Sequence, residues 1–91
     1  MKNDNTLIQE LGNILADMYA YAEENEKVTM IHVFGVKYAH QIKSNNISAA
    51  AIIKNTVLPN GTKMNASYQT EVQKGINLAK YVKLKDSSDK E

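Results

Sequence analysis

The chain has 91 residues, of which 43% are hydrophobic and 23% are charged, and it carries a formal net charge of +1 with no cysteine. This length predicts one domain, and the composition is typical of a soluble globular protein. The lack of cysteine excludes a disulfide framework, a thiolate zinc site and a cysteine nucleophile. Because no apolar run is long enough for a signal peptide or a membrane span, we expect a cytoplasmic protein.

The charges are distributed unevenly along the chain. Residues 1–26 contain one lysine and six acidic residues, whereas residues 27–85 contain nine lysines and a single acidic residue, Glu71. This asymmetry fits either a polyanionic partner on one face or lysines spread over all faces for solubility. All the basic residues are lysine, so any reading of DNA bases would depend on Gln, Asn, Thr or Lys rather than on the planar fork of arginine.

Two long helices are predicted in the first half. From Thr6 to Ala22, apolar residues recur at three- and four-residue spacing, which is the pattern of an amphipathic helix. The next segment, 28–42, is rich in β-branched residues that suit a strand. A helical stripe nevertheless runs through it, formed by Met30, Ile31, Phe34, Tyr38 and Ile42. We therefore predict a second helix over 29–43, with Thr29 as its cap and Gly35 allowing a neighbouring helix to approach closely.

The second half predicts a short helix, a loop and a last helix. Ser48 caps the short helix, in which Ala49, Ile52 and Ile53 point inward. The segment "LPNGTKMN" contains Pro-Asn-Gly, which is typical of turns, and it fits either a small hairpin or an irregular loop. Ser67 then caps an amphipathic helix that extends to Val82, either unbroken or interrupted at Gly75.

These elements predict an all-α fold: a small orthogonal bundle of four to five helices that contains a helix-turn-helix-like pair. We expect a single helical domain over residues 6–84. The polar ends, residues 1–5 and 85–91, have too little apolar surface to order themselves and are expected to be disordered.

The stretch "TEVQKGINLAKYV", residues 70–82, resembles the recognition helix and following turn of repressor-type helix-turn-helix domains. Together with "EKVTMIHVFGVKYAHQI", residues 26–42, it is similar to small bacterial helix-turn-helix-like domains, which occur alone or attached to DNA-processing enzymes. The resemblance covers residues 7–83. One feature departs from it, because about ten residues separate the short helix from Ser67, where the standard motif has a tight turn. Those residues are an insertion, a wing, or a sign that the two helices do not pack as a helix-turn-helix.

The resemblance implies a non-enzymatic module that binds double-stranded DNA, with a role in transcription regulation or DNA processing. The helix from Ser67 would then be the recognition helix. The expected base contacts are Gln69, Thr70, Gln73 and Lys74. The expected phosphate contacts are Lys54, Lys63, Ser67, Lys80 and Lys83.

An alternative function is a helical protein-interaction or self-association module that does not bind nucleic acid, with Met30, Ile31 and Phe34 as the contact face of a homodimer or another protein. We expect no cofactor and no metal, since His32 and His40 lie eight residues apart without a carboxylate at ligand spacing. We also expect no enzyme activity, because no nucleophile–base pair, phosphate-cradling glycine loop or acidic cluster of the nuclease type is present.

Overall fold

A computed structural model describes residues 4–85 of the chain. Those residues form four α-helices: α1 (Asp4–Ala20), α2 (Lys27–Ser44), α3 (Ala49–Lys54) and α4 (Gln69–Leu78). Short 3₁₀ helices, Glu24–Glu26 and Ala66–Tyr68, precede α2 and α4. Within the described part, β structure is limited to one isolated antiparallel bridge. The predicted small all-α bundle is therefore confirmed. The disorder expected at 1–5 and 85–91 falls mostly outside the described residues, although α1 already begins at Asp4 rather than at Thr6.

The four helices enclose one apolar core, because each contributes an apolar stripe. The largest fully buried apolar side chains are Leu11 and Leu15 of α1, Ile31, Phe34 and Ile42 of α2, Ile52 of α3, and Val72 of α4. These positions agree with the apolar spacing that the sequence predicted, except that Met30 is only partly buried and Val82, at the end of the predicted last helix, is exposed. Residues 27–44 form one continuous helix, so the helical interpretation of this β-branched segment is confirmed.

The stripe on α2 does not leave a free contact face. Ile31 and Phe34 are 0% exposed, since α1 and α4 both pack against α2. Of Met30, Ile31 and Phe34, only Met30 is partly accessible to solvent. The expectation that Met30, Ile31 and Phe34 form a docking face is therefore wrong, because the side chains that would make the contact form the core.

A close helix crossing joins α2 to α4. A methyl group added at Gly35 would lie 2.7 Å from the Cα of Gly75, and one added at Gly75 would lie 2.5 Å from the carbonyl oxygen of His32. The two backbones can approach this closely only because neither position has a side chain. The predicted role of Gly35 is thus confirmed. The predicted alternative of a break at Gly75 is wrong, since α4 runs through it.

A tight turn, residues 45–48, connects α2 to α3. Asn46 adopts the left-handed conformation, with φ 54°. The amides of Asn46 and Ile47 donate to the carbonyls of Lys43 and Ile42 at 3.1 and 3.0 Å, which is the Schellman pattern of a helix end. The hydroxyl of Ser48 then accepts from the Ala51 amide at 3.0 Å, as predicted for a cap. A turn of this length is the one expected between the helices of a helix-turn-helix, and it lies before α3 rather than after it.

The longer connection between α3 and α4 is ordered. Val57 and Lys63 pair in the β-bridge, and the Leu58 amide donates to the Thr62 carbonyl at 2.8 Å. Gly61 sits at the tip with φ 90°, a conformation that favours glycine. The buried Met64 donates its amide to the carbonyl of buried Thr56, which anchors both ends of the loop in the core. Of the two predicted forms, the small hairpin is the closer description.

The ends of α4 and the start of α2 differ from the prediction. The side chain of Asn65, and not that of Ser67, caps the 3₁₀ turn before α4, accepting from the Ser67 amide at 2.8 Å. The helix ends at Leu78 and a turn follows, so the extension to Val82 is wrong. In α2 the helix begins at Lys27, after a 3₁₀ turn, so Thr29 is not its cap.

Candidate nucleic-acid interface

A wide groove of about 660 Å³ opens where α1, α3 and the start of α4 meet. The side chains of Ile8, Ile53 and Met64 form its apolar part, and Lys54 and Lys63 lie on its exposed polar rim. The β-bridge loop carries Lys63 to this groove, because it folds back toward the end of α3. Two lysines that are nine residues apart in the sequence thus reach one groove.

A second groove, of about 390 Å³, continues along the first turns of α4. It is lined by the exposed side chains of Gln69, Thr70 and Gln73 and by small residues at the start of α3. Both grooves are lined by Ser48, Ala50 and Gln69, so they form one continuous surface. We call this the α3–α4 surface and define it by Ser48, Ala50, Lys54, Lys63, Gln69, Thr70 and Gln73.

The packing of α4 explains why its polar residues face outward. Val72 and Ile76 are buried against the core and fix the rotation of the helix. Gln69 and Gln73, one turn apart, then project together on the side of α4 that faces the start of α3. The Gln73 amide nitrogen donates to the side-chain oxygen of Asn77 at 3.0 Å, which restrains this carboxamide.

The charged residues of the α3–α4 surface are two lysines, Lys54 and Lys63, which both line the wide groove. Among the residues that the structure describes, no carboxylate lines either groove. The acidic residue of α4, Glu71, points instead toward α2, and its carboxylate lies 2.7 Å from Nε2 of His32. The same carboxylate lies 3.6 Å from Nζ of Lys74, which is on α4 itself. The hydrogen bond from His32 is the main cause of a lowered pKa for Glu71, and the charge of Lys74 adds to it. The Glu71 carboxylate is therefore engaged by His32 and Lys74, outside the α3–α4 surface.

The model of the HTH-like domain family matches residues 7–85, which is most of the chain. The chain belongs to the HTH-like domain family. No curated protein and no solved structure gives a significant match. The match begins at the residue where the sequence resemblance begins, and it ends two residues beyond it.

Not all the residues predicted for the interface of this HTH-like domain lie together. Lys74 lines a separate recess with His32, Leu78 and Tyr81, and it pairs with Glu71. Lys83 lines a third groove with residues of α2, among them Lys37 and His40. Lys80 is exposed in the turn after α4, and Ser67 is exposed in the 3₁₀ turn before it. The α3–α4 surface thus unites Lys54 and Lys63 with Gln69, Thr70 and Gln73.

The prediction from sequence missed Ser48 and Ala50 as members of this surface. Ser48 was recognised only as a cap, and Ala50 carries no chemical signal of its own. The helical spacing of α3 turns Ala49 and Ile53 inward and leaves Ala50 exposed. That pattern could have identified Ala50 as a surface residue, but not as a neighbour of Gln69.

Over residues 4–85, no three His, Asp or Glu side chains are grouped so that they could hold a metal ion. His32 is engaged with Glu71, and His40 is exposed. None of the described helices combines the length and the apolar character needed to cross a membrane.

Proposed function

We propose that this HTH-like domain binds double-stranded DNA through the α3–α4 surface. The observation that carries the proposal is the convergence of Lys54 and Lys63 with the polar first turns of α4, on a surface whose described lining contains no carboxylate. Lysines supply the charge that binds phosphates, and this charge provides much of the affinity of a DNA-binding protein. Polar side chains of a neighbouring helix can then reach base edges.

In the proposed complex α4 acts as the recognition helix, rather than the short α3 that follows the tight turn, because α4 is longer and carries the exposed polar residues. Gln69, Thr70 and Gln73 face the major groove, while Lys54 and Lys63 contact the phosphates on one side of it. Ser67 lies just before α4 and contacts the same stretch of the DNA phosphate backbone as Lys54 and Lys63. Lys80 and Lys83 follow the other end of α4, so we assign them to phosphates farther along the duplex. Lys74, which the sequence predicts as a base contact, lines a separate recess and pairs with Glu71, so the base contacts that we propose are Gln69, Thr70 and Gln73.

The role of DNA binding in the cell, whether in transcription regulation or in DNA processing, remains a prediction that rests on the sequence resemblance. The family membership supports a DNA-binding module in general terms. The expected absence of catalysis likewise remains a prediction.

A fluorescence anisotropy titration with a labelled duplex tests the proposal. We expect saturable binding at low salt, and we expect Lys54→Ala with Lys63→Ala to weaken it at least tenfold, since two phosphate contacts are removed. Lys37→Ala is the matched control, because Lys37 is an exposed lysine that lines a different groove. Absence of binding at low salt, or equal losses from Lys37→Ala and from the Lys54 and Lys63 changes, would contradict the proposal.

Self-association is a second candidate function, and a specific surface favours it. Large apolar side chains are exposed at Leu78, the last residue of α4, and at Tyr81 and Val82 just after it, and Tyr81 is 79% exposed. This group replaces the buried Ile31 and Phe34 as a possible contact between copies. Sedimentation velocity of the protein and of Tyr81→Ser tests it: a dimer that the substitution dissociates supports self-association, and a monomer at all concentrations excludes it.

A further inference from the structure

We infer that one groove of the protein selects A·T base pairs over G·C base pairs when the domain binds in the major groove of DNA. This protein groove is formed by Gln69, Thr70, Gln73, Ser48 and Ala50. This inference rests on the proposed function, because it names the sequence class that the α3–α4 surface reads. It depends on which donors, acceptors and methyl groups the groove presents.

The two glutamines supply the contact with adenine. A carboxamide can accept a hydrogen bond from the N6 amino group of adenine and donate one to N7. Gln69 and Gln73 are exposed and one helical turn apart, about 6 Å along the axis. Gln73 uses one hydrogen of its amide nitrogen on Asn77, which leaves the other hydrogen and the carbonyl oxygen for a base.

Two exposed residues that carry methyl groups line the same groove and supply the contact with thymine. Thr70 lies between the glutamines in the sequence, and Ala50 lies across the groove from α4. Thr and Ala methyl groups make the apolar contacts that recognise the C5-methyl group of thymine. The groove can therefore recognise both members of an A·T pair.

The same groove is poorly suited to guanine. Guanine presents two acceptors, O6 and N7, which the fork of arginine matches, and the chain contains no arginine. A glutamine placed as for adenine would set its carbonyl oxygen against O6. Lys54 and Lys63 line only the wide groove, and Lys74 pairs with Glu71, so the lysine ammonium groups near α4 are placed elsewhere.

The test compares the affinity of the protein for matched A·T-rich and G·C-rich duplexes by fluorescence anisotropy. We expect the A·T-rich duplex to bind about tenfold more tightly or better, the discrimination expected from a two-pronged base contact. Gln69→Ala with Gln73→Ala should reduce that ratio to about threefold or less, because the amide contacts are lost. Gln41→Ala, an exposed glutamine of α2 that lines neither groove, should leave the ratio unchanged.

Modified duplexes locate the contact. Replacing adenine by 7-deazaadenine removes N7, and replacing thymine by uracil removes the methyl group, while neither change alters the hydrogen-bonding groups of the minor groove. We expect each replacement to reduce the A·T preference. A preference that survives both replacements would arise from the minor groove or from duplex shape and would overturn the inference.

Failure of this inference can be distinguished from failure of the proposed function. If all duplexes bind equally and Lys54→Ala with Lys63→Ala weakens them alike, DNA binding stands and the A·T selection is overturned. If no duplex binds even at low salt, both are overturned.

Discussion

The carboxylate of Glu71 on α4 connects this helix to α2 at the protein surface. It accepts from His32 across the helix interface and lies near Lys74 one turn along α4. Its pKa is lowered, chiefly by the hydrogen bond with His32. A carboxyl group with a lowered folded-state pKa stabilises the fold above its unfolded pKa, and that contribution is lost as the pH falls through the folded-state value.

Thermal unfolding followed by circular dichroism against pH tests this link. We expect the melting temperature of the protein to fall as the pH decreases from about 5 through the acidic range, and we expect Glu71→Gln to show a weaker dependence. Glu10→Gln, at an exposed position of α1, serves as the control. If Glu71→Gln has the same pH dependence as the unmodified protein, the link between His32 and Glu71 does not stabilise the fold.

Tyr19 and Tyr68 fasten the end of α1 to the start of α4. Their hydroxyl groups lie 3.2 Å apart and their ring centroids 5.5 Å apart. The hydrogen bond to Tyr68 and the burial of the ring raise the pKa of Tyr19 to about 12. Lys27 completes this contact, because its ammonium group donates to the Tyr19 carbonyl at 3.0 Å and lies 5.2 Å from the ring centroid.

We predict that Tyr19→Phe lowers the free energy of unfolding by about 1 kcal/mol, the usual contribution of one hydrogen bond. The raised pKa means that this contribution is complete below about pH 10, the ordinary value for tyrosine, and is lost as the pH rises toward about 12. Urea unfolding at neutral pH measures it. Tyr21→Phe is the matched control, since Tyr21 is exposed, and a loss equal to that of Tyr19→Phe would contradict the assignment.

The crossing of α2 and α4 brings the backbones of two helices into direct contact. We predict that Gly75→Ala lowers the free energy of unfolding by about 1–3 kcal/mol, because the new methyl group meets backbone atoms that cannot move aside easily. Alanine is the better helix former by about 1 kcal/mol, so a gain in stability on urea unfolding would show that the helices are not in contact here. Thr29→Ala, at an exposed site on α2, controls for the effect of substituting alanine in a helix.

The elements that the sequence predicted correctly are those whose signals are local. Apolar spacing defined α1 and α2, and a hydroxyl residue before a small-residue run identified the Ser48 cap. The alternative of a break at Gly75 was wrong because a glycine inside a helix suggests a break. Here the side chain is absent because the backbone at Gly35, 40 residues earlier in the sequence, packs against Gly75. The end of α4 at Leu78 was missed because the apolar spacing continues to Val82 beyond the helix.

The candidate surface was predictable only in part, for a similar reason. The polar face of α4 follows from helical periodicity once Val72 and Ile76 are taken as buried. The grouping of Lys54 with Lys63 depends on the path of the loop between them, which a bridge and a turn set. The error over Ile31 and Phe34 arose because a single stripe does not reveal that α2 is covered by two helices.

At the scale of the whole molecule, net charge is a poor guide to a polyanionic partner. The formal charge is only +1, yet acidic residues dominate 1–26 and lysines dominate 27–85. We predict that the logarithm of the DNA association constant falls linearly with the logarithm of salt concentration. Lys54→Ala with Lys63→Ala should reduce the slope by about 2, since each phosphate contact contributes about 0.9. An unchanged slope would show that these lysines do not neutralise phosphates.

Nuclear magnetic resonance of the labelled protein, titrated with a duplex, tests the central claim most directly, because it shows which residues meet the DNA. We predict that the largest amide shifts fall at residues 48–54, at Lys63 and at residues 67–74. The amides of Lys37 and His40 on α2 should shift far less. Shifts concentrated on α2, or no shifts at low salt, would contradict DNA binding through the α3–α4 surface.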